Sequence, residues 1–325
     1  MTSASKVTLV TGAPGWLGNR LLVRLAAKGR RVRCLVYPAD FRPEDLAELA
    51  AFQGVEIVWG DVRNPAAAQR AVAGVSSVFH LASARTPENL SDFEAINAWG
   101  ARTLALAAAD ARVSAFVHVS SISVHGHNRS ARHPFVETSP TQPLTPYALS
   151  KLRGEQEVRA VATARGLPAV VLRPGPFYGP GQSPAMELLA KLVRQGAAPG
   201  VRPSPLRSLT HVDNVVDALL LAEEHVSDAA EPFMIGDAVN YTTRDLLRAF
   251  ASAQGVKLRT VLLPIPVCRI AELAARAPLG GRNPALLTTV GEFGRHSFAT
   301  IDKARTVLGY RPGRSLAEGV AEALS

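Results

Sequence analysis

The 325-residue chain is poor in cysteine, poor in aromatic residues (6%) and short of acid, with 27 acidic residues against 36 basic ones. Each shortage excludes something. Cys34 and Cys268 form no metal-ligand or redox spacing, so the chain reads as a reduced, intracellular protein without a disulfide framework. No uninterrupted apolar stretch approaches the roughly 18 residues that a membrane span needs. The N-terminal "MTSASKVTLVTGA" has too short an apolar run for a secretion signal. The expected location is therefore the cytoplasm. The acid deficit leaves a formal charge of +9, which raises nucleic acid as a partner. The basic residues are scattered, however, and the densest patch, "KGRRVR" at 28–33, has no interleaved aromatics. We expect no nucleic-acid partner and read the charge as a solvated surface with some pull on anions.

What is present is a regular alternation. The chain is 47% hydrophobic, enough for a large core. Short apolar runs at 6–12, 31–37, 55–61, 75–83, 115–123 and 169–175 read as strands. Between them lie helical stretches, among them "LGNRLLVRLAAKG" (17–29, closed by Gly29), "DFEAINAWGARTLALAAADA" (92–111) and a helix opening near Pro146. Strands separated by helices predict an α/β fold, a doubly wound parallel sheet covered on both faces. After residue 178 the chain becomes rich in loops. We expect one domain from 1–178 plus about 208–240, and a smaller substrate-binding lobe from 179–207 and 241–325.

"LVTGAPGWLGNR" (9–20) sets Gly12, Gly15 and Gly18 between a strand and a helix. Missing side chains let backbone approach a pyrophosphate, and a helix start aims N–H groups at it. A packing turn is the alternative. The next strand ends at Tyr37, where a dinucleotide fold usually has an acidic residue for the ribose hydroxyls, and Arg33 lies inside that strand. Absence of an acid tilts the cofactor towards NADP over NAD. Asp61 suits an adenine contact or a cap for the following helix. Downstream, "TPYALSKLRGE" (145–155) sets Tyr147 and Lys151 four apart, on one helix face. An ammonium beside a phenol favours the phenolate and prepares it for proton transfer. "VHVSSISVHG" (117–126) delivers Ser120, Ser121 and Ser123 to a strand end, where Ser121 can polarise a carbonyl oxygen. His118, His125, His127 and His133 lack the pattern of a zinc site, and no metal is expected. Asp213 reads as the cap of the helix that comes after it.

The segments "TGAPGWLG", "GDVRN", "HLAS", "INAWGART", "VSSISVHG", "YALSK", "LRPGPFYGPG" and "THVDNVVDAL" together resemble the extended short-chain dehydrogenase/reductase superfamily over essentially the whole chain. The resemblance implies a Rossmann-type domain that binds NAD(P)(H), with Ser121, Tyr147, Lys151 and Asn97 as the catalytic set. It implies cofactor contacts at Gly12, Gly15, Trp16, Leu17, Gly18, Tyr37, Asp61, Val62, Leu81, Ala82, Ser83, Tyr147, Lys151, Pro174 and Phe177, with Arg173 near the nicotinamide. A small-molecule substrate would meet Ser123, His125, Phe177, Met186 and Arg207. A homodimer through the helices after Asn97 and Tyr147 is implied, with a monomer left open.

Two residues separate this chain from the nucleotide-sugar branch. Pro176 replaces an Asn that contacts the sugar nucleotide, and His125 replaces a Tyr; Arg207 is retained. The chain is more similar to the 3β-hydroxysteroid dehydrogenase and ketoreductase branch, which implies a hydrophobic ketone or secondary alcohol. A nucleotide-sugar epimerase or dehydratase using the same three side chains, and a non-catalytic redox-sensing binder, are the alternatives.

Overall fold

The computed structural model describes residues 7–84, 90–181, 184–268, 270 and 294–324. The first half runs β1 (Val7–Thr11), α1 (Trp16–Ala27), β2 (Arg31–Val36), α2 (Pro43–Ala51), β3 (Val55–Trp59), α3 (Pro65–Val72) and β4 (Val75–His80). Next come α4 (Leu90–Glu94), a π-helical segment (Ala95–Gly100), α5 (Ala101–Asp110), β5 (Ala115–Val119), α6 (Pro146–Arg165) and β6 (Ala169–Pro174). The rest comprises β7 (Phe177–Tyr178), α7 (Pro184–Arg194), β8 (Ala197–Arg202), β9 (Leu206–Arg207), β10 (Thr210–His211), α8 (Val212–Ala222) and β11 (Pro232–Ile235). It continues with β12 (Tyr241–Thr242), α9 (Thr243–Ala253), β13 (Arg259–Pro264), α10 (Asp302–Val307) and α11 (Leu316–Leu324). Among the described residues no helix is long and apolar enough to cross a membrane.

Seven strands form one parallel sheet in the order β11-β6-β5-β4-β1-β2-β3. Alternate residues of each strand face opposite helical layers. Val10, Phe79, Val117 and Leu172 pack against Leu21, Leu25, Val215 and Leu219 of α1 and α8. Leu9, Val78, Phe116 and Val171 pack against Ala67, Leu104, Val158 and Val161 of α3, α5 and α6. The expected doubly wound sheet is present.

The segment expected in the lobe divides between two cores. Ile301, Ala304, Leu308 and Tyr310 close the main core, whereas Leu316 and Val320 join Tyr178, Leu246 and Phe250 in the lobe's own core. Asp213 does not cap α8. His211 holds that place through Nδ1, and Asp213 lies within the first turn, bound to Arg20 at 2.5 Å.

α6 carries two of the expected catalytic side chains, and its own placement therefore matters most. Its start is written locally: Thr145 Oγ1 accepts from the Ala148 N–H at 3.1 Å, and Pro146 occupies the first helical position. Gly166, at φ 62°, ends it. Burial of Val158 and Val161 contributes roughly 1.5–3 kcal/mol each, against about 0.2–1 kcal/mol for an exposed ion pair such as Arg102–Glu157. Packing, not surface charge, holds α6 down. The stretch expected as one helix over 92–111 is interrupted by the π segment, whose Asn97 carbonyl faces α6. A Cβ at Gly154 would collide with that oxygen, so the two backbones touch where α6 crosses.

Gly154→Ala should therefore destabilise by about 1–3 kcal/mol, the usual range for forcing extra volume into a packed contact. Thermal unfolding measures it; an unchanged midpoint would show that the two backbones separate freely.

Candidate active site

Each strand of the sheet's centre ends in a candidate residue. Gly12 follows β1, Tyr37 follows β2, Asp61 lies beyond β3, Leu81 follows β4, Ser121 lies beyond β5 and Phe177 follows β6. The sequence order reverses between β1 and β4, the position at which open α/β sheets leave a crevice. Gly12 has φ 85°, and a Cβ there would lie 2.7 Å from the Ala82 nitrogen. Gly15 and Gly18 leave similarly little room against the Gly12 carbonyl. The N-cap of α1 is Gly15, which offers no side-chain acceptor, and the first turn carries no acid. Those helix N–H groups suit an anion. A dinucleotide pyrophosphate therefore fits this turn.

Trp16 adds a contact that spacing did not reveal. Its Nε1–H donates to the Pro180 carbonyl at 2.7 Å, and its ring meets Phe177 edge-on at 6.2 Å. The glycine turn and the segment leading into the lobe are thus tied. Tyr37 is 40% exposed, and Asp61 sits in a multidentate pair with Arg63 that holds its carboxyl below the usual range. Leu17 and Val62 turn their side chains into the two cores, leaving backbone as what they offer the crevice.

Around α6 the chemistry converges. Lys151 is 2% exposed, and burial pushes its ammonium down to about 8, with Glu155 opposing. Tyr147, one turn earlier, is half-buried with its ring edge-on to Phe93 at 6.1 Å. Ser121 Oγ accepts from the Ser123 nitrogen at 3.1 Å and from Ser123 Oγ at 2.9 Å. With both lone pairs engaged, its own hydrogen is left to donate. Ser123 thereby orients Ser121. Asn97 is buried; its Oδ1 accepts from the Ala84 nitrogen at 2.8 Å, and its Nδ2 donates to Ser150 Oγ at 2.9 Å. Its side chain braces the end of β4 against α6.

Two of the other residues expected near a ligand are held by different partners. His125 is 2% exposed, with Nδ1 on the Pro140 carbonyl at 3.1 Å, Nε2 on Arg173 at 3.0 Å and its ring stacked on Phe135. It is removed from the substrate-facing set. Arg173 is not turned to a cofactor either. It forms a buried bidentate pair with Glu155 and donates to the Glu137 carbonyl at 3.0 Å. Met186 packs on the lobe's core, and Arg207 lies half-buried on β9, opposite Tyr241. Ser83 lies three residues beyond the end of β4, and Pro174 closes β6.

Among the described residues, His211, Asp213 and Glu322 bring possible ligand atoms together. The Asp213 N–H donates to His211 Nδ1, so the neutral ring carries its proton on Nε2, and Arg20 holds the Asp213 carboxylate. The cluster serves capping and ion pairing.

The sequence profile of the NAD dependent epimerase/dehydratase family matches residues 8–236. The chain is 32% identical over 317 residues to the 4-hydroxy-2-methyl-3-oxo-4-farnesyl-3,4-dihydroquinoline-1-oxide ketoreductase of Stigmatella aurantiaca, covering 93% of this chain and 91% of that protein. It is 30% identical over 328 residues to the UDP-glucose 4-epimerase of Mycolicibacterium smegmatis, covering 97% and 96%. Among solved structures, gox2253 superposes with a TM-score of 0.80 at 29% identity, over 98% of this chain and 97% of that one.

The buried pair sets a stability test. Arg173→Met should cost about 3–5 kcal/mol by leaving the Glu155 carboxylate buried without its partner. Adding Glu155→Leu should recover much of that loss in chemical denaturation. Equal instability of single and double variants would show that the pair is not the seat of the cost.

Proposed function

The chain belongs to the NAD dependent epimerase/dehydratase family, and we propose that within it the protein is an NAD(P)-dependent ketoreductase or alcohol dehydrogenase acting on a hydrophobic carbonyl or secondary alcohol. One observation carries this reading: Tyr147 and the buried Lys151 share a face of α6, at the sheet edge that also holds Ser121 and the glycine turn. Gly12, Gly15 and Gly18 would hold the cofactor's phosphates, with Tyr37 and Asp61 at its adenosine end. The bound nicotinamide supplies or accepts hydride. In reduction, Ser121 donates a hydrogen bond to the substrate oxygen, and Tyr147 transfers its phenolic proton to that oxygen as the alcohol forms. Lys151 stabilises the phenolate left behind.

Three features support this substrate class over a nucleotide sugar. Pro176 is exposed at the strand end and has neither N–H nor polar side chain to offer a sugar. Phe177 stands beside it. The ketoreductase relative acts on a compound whose name includes a farnesyl group. The epimerase reading is favoured by the similarity to UDP-glucose 4-epimerase and by Arg207. The lobe that carries α7, α9 and α11 supplies specificity, and the lack of an acid after β2 favours NADP. Exposure of Trp99 (51%) and Leu149 (39%) supports a homodimer through the helices that bear them. The reaction belongs in the cytoplasm.

Stoichiometric oxidation of NADPH or NADH by hydrophobic ketones is the expected result, and Tyr147→Phe should lower kcat by about 10²–10⁴. Turnover of a sugar nucleotide without net cofactor consumption, and silence on every ketone, would overturn the reading. The pH dependence has a defined sign. Lys151 is charged below about 8 and neutral above it, so kcat for reduction should fall as pH rises through that value. A rate that stays flat up to pH of about 10 contradicts the role given to Lys151.

A further inference from the structure

Beneath Lys151 lie polar groups that neither the core nor the proposed reaction uses. His80 on β4 and His118 on β5 are register neighbours, each 1% exposed, with rings stacked 5.3 Å apart at 30°. They belong to a tier. Thr11, His80, His118 and Arg173 each stand two residues beyond Leu9, Val78, Phe116 and Val171 on the same sheet face, where the apolar packing under α6 gives way to polar side chains. His80 Nδ1 meets Thr11 Oγ1 at 2.7 Å. His80 Nε2, both nitrogens of His118 and the Ser120 hydroxyl have no hydrogen-bond partner among the described residues.

A neutral imidazole offers one N–H and one lone pair, and leaving such a group bare in a dry interior costs about 1–3 kcal/mol. A leucine at 118 would extend the packing of Phe116 without that cost. Two adjacent rings therefore hold open a polar spot that folding does not require. One cation acts on both rings, Lys151: burial and that ammonium hold His80 down at about 3 and His118 well below its ordinary value. Both rings are neutral across the working range, so each keeps an unprotonated nitrogen.

We propose that His118, stacked on His80, is a positioning residue for Lys151, its neutral ring furnishing, through one buried water, an acceptor for an ammonium N–H turned away from Tyr147. The inference rests on the role given to Lys151 above, but it concerns the lysine itself. Among the described residues, the titratable groups that interact with that ammonium are Glu155 on its own helix, His80 from β4 and His118 from β5, with Tyr147 one turn earlier on the same helix. Glu155 is already engaged by Arg173 of β6.

The test reads the lysine without substrate. The chain has six lysines, and Lys151 is the one fully buried among the described residues. Protein labelled with ¹³C at lysine Cε should show a resonance titrating near 8. In His118→Leu the ammonium loses its acceptor, and that midpoint should fall by about one pH unit, tenfold in the equilibrium. His118→Asn, which keeps a polar side chain, should restore most of the shift. An unmoved midpoint in His118→Leu overturns the proposal. Should that variant not fold, ¹⁵N-histidine spectra of the unaltered protein decide: a His118 ring nitrogen must move with the Lys151 titration, and one that stays fixed overturns the proposal equally. Absence of ketone turnover would refute the proposed function while leaving this result intact.

Discussion

A buried ammonium is the costly element of this molecule, and much of the structure near it is arranged to hold it. Taking a charge out of water is unfavourable by several kcal/mol unless neighbours compensate. Lys151 therefore sits where α6 passes over the ends of the strands, one turn before the Glu155 carboxylate and over a sheet face that has just turned from apolar to polar. Had the polar tier fallen one rung lower, it would have replaced Val78 and Phe116 in the packing under α6. Had it been absent, the lysine would face only hydrocarbon on that side. The period-two alternation of the strands places the change of character where α6 needs it.

The same helix carries a second balance. Glu155 is shared between the field at Lys151 and the bidentate pair with Arg173. Arg173 in turn is held by the Glu137 carbonyl and by His125. The carboxylate is thus fixed before any ligand arrives, which keeps the electrostatics at the lysine constant. The backbone contact of Gly154 with Asn97 sets the height of α6 above the π segment, and Asn97 then bolts α6 to the chain leaving β4 through Ser150 and Ala84.

The parts legible in the sequence were those with local causes. Strand positions follow from apolar runs, the start of α6 from Thr145 and Pro146, and the tight turn after β1 from glycines whose missing Cβ atoms would otherwise strike backbone. What escaped depends on partners distant in the chain. Arg173 read as a cofactor neighbour because Glu155 becomes visible as its partner only once β6 lies beside α6. His125 read as a pocket residue because its ring bonds reach Pro140 and Arg173, 15 and 48 residues away. Met186 read as a pocket residue, and its packing on the lobe's own core becomes visible only once the lobe has folded. The π segment has no compositional mark; it answers to a glycine on another helix.

The bond from Trp16 to Pro180 spans 164 residues of sequence and joins the glycine turn to the approach of the lobe. Of the three tryptophans, Trp59 and Trp99 are about half exposed, at 49% and 51%, whereas Trp16 is more enclosed and packs against Phe177. The molecule accordingly carries a native chromophore at the seam between its two halves. Light emitted from that indole reports on the junction itself, without any label.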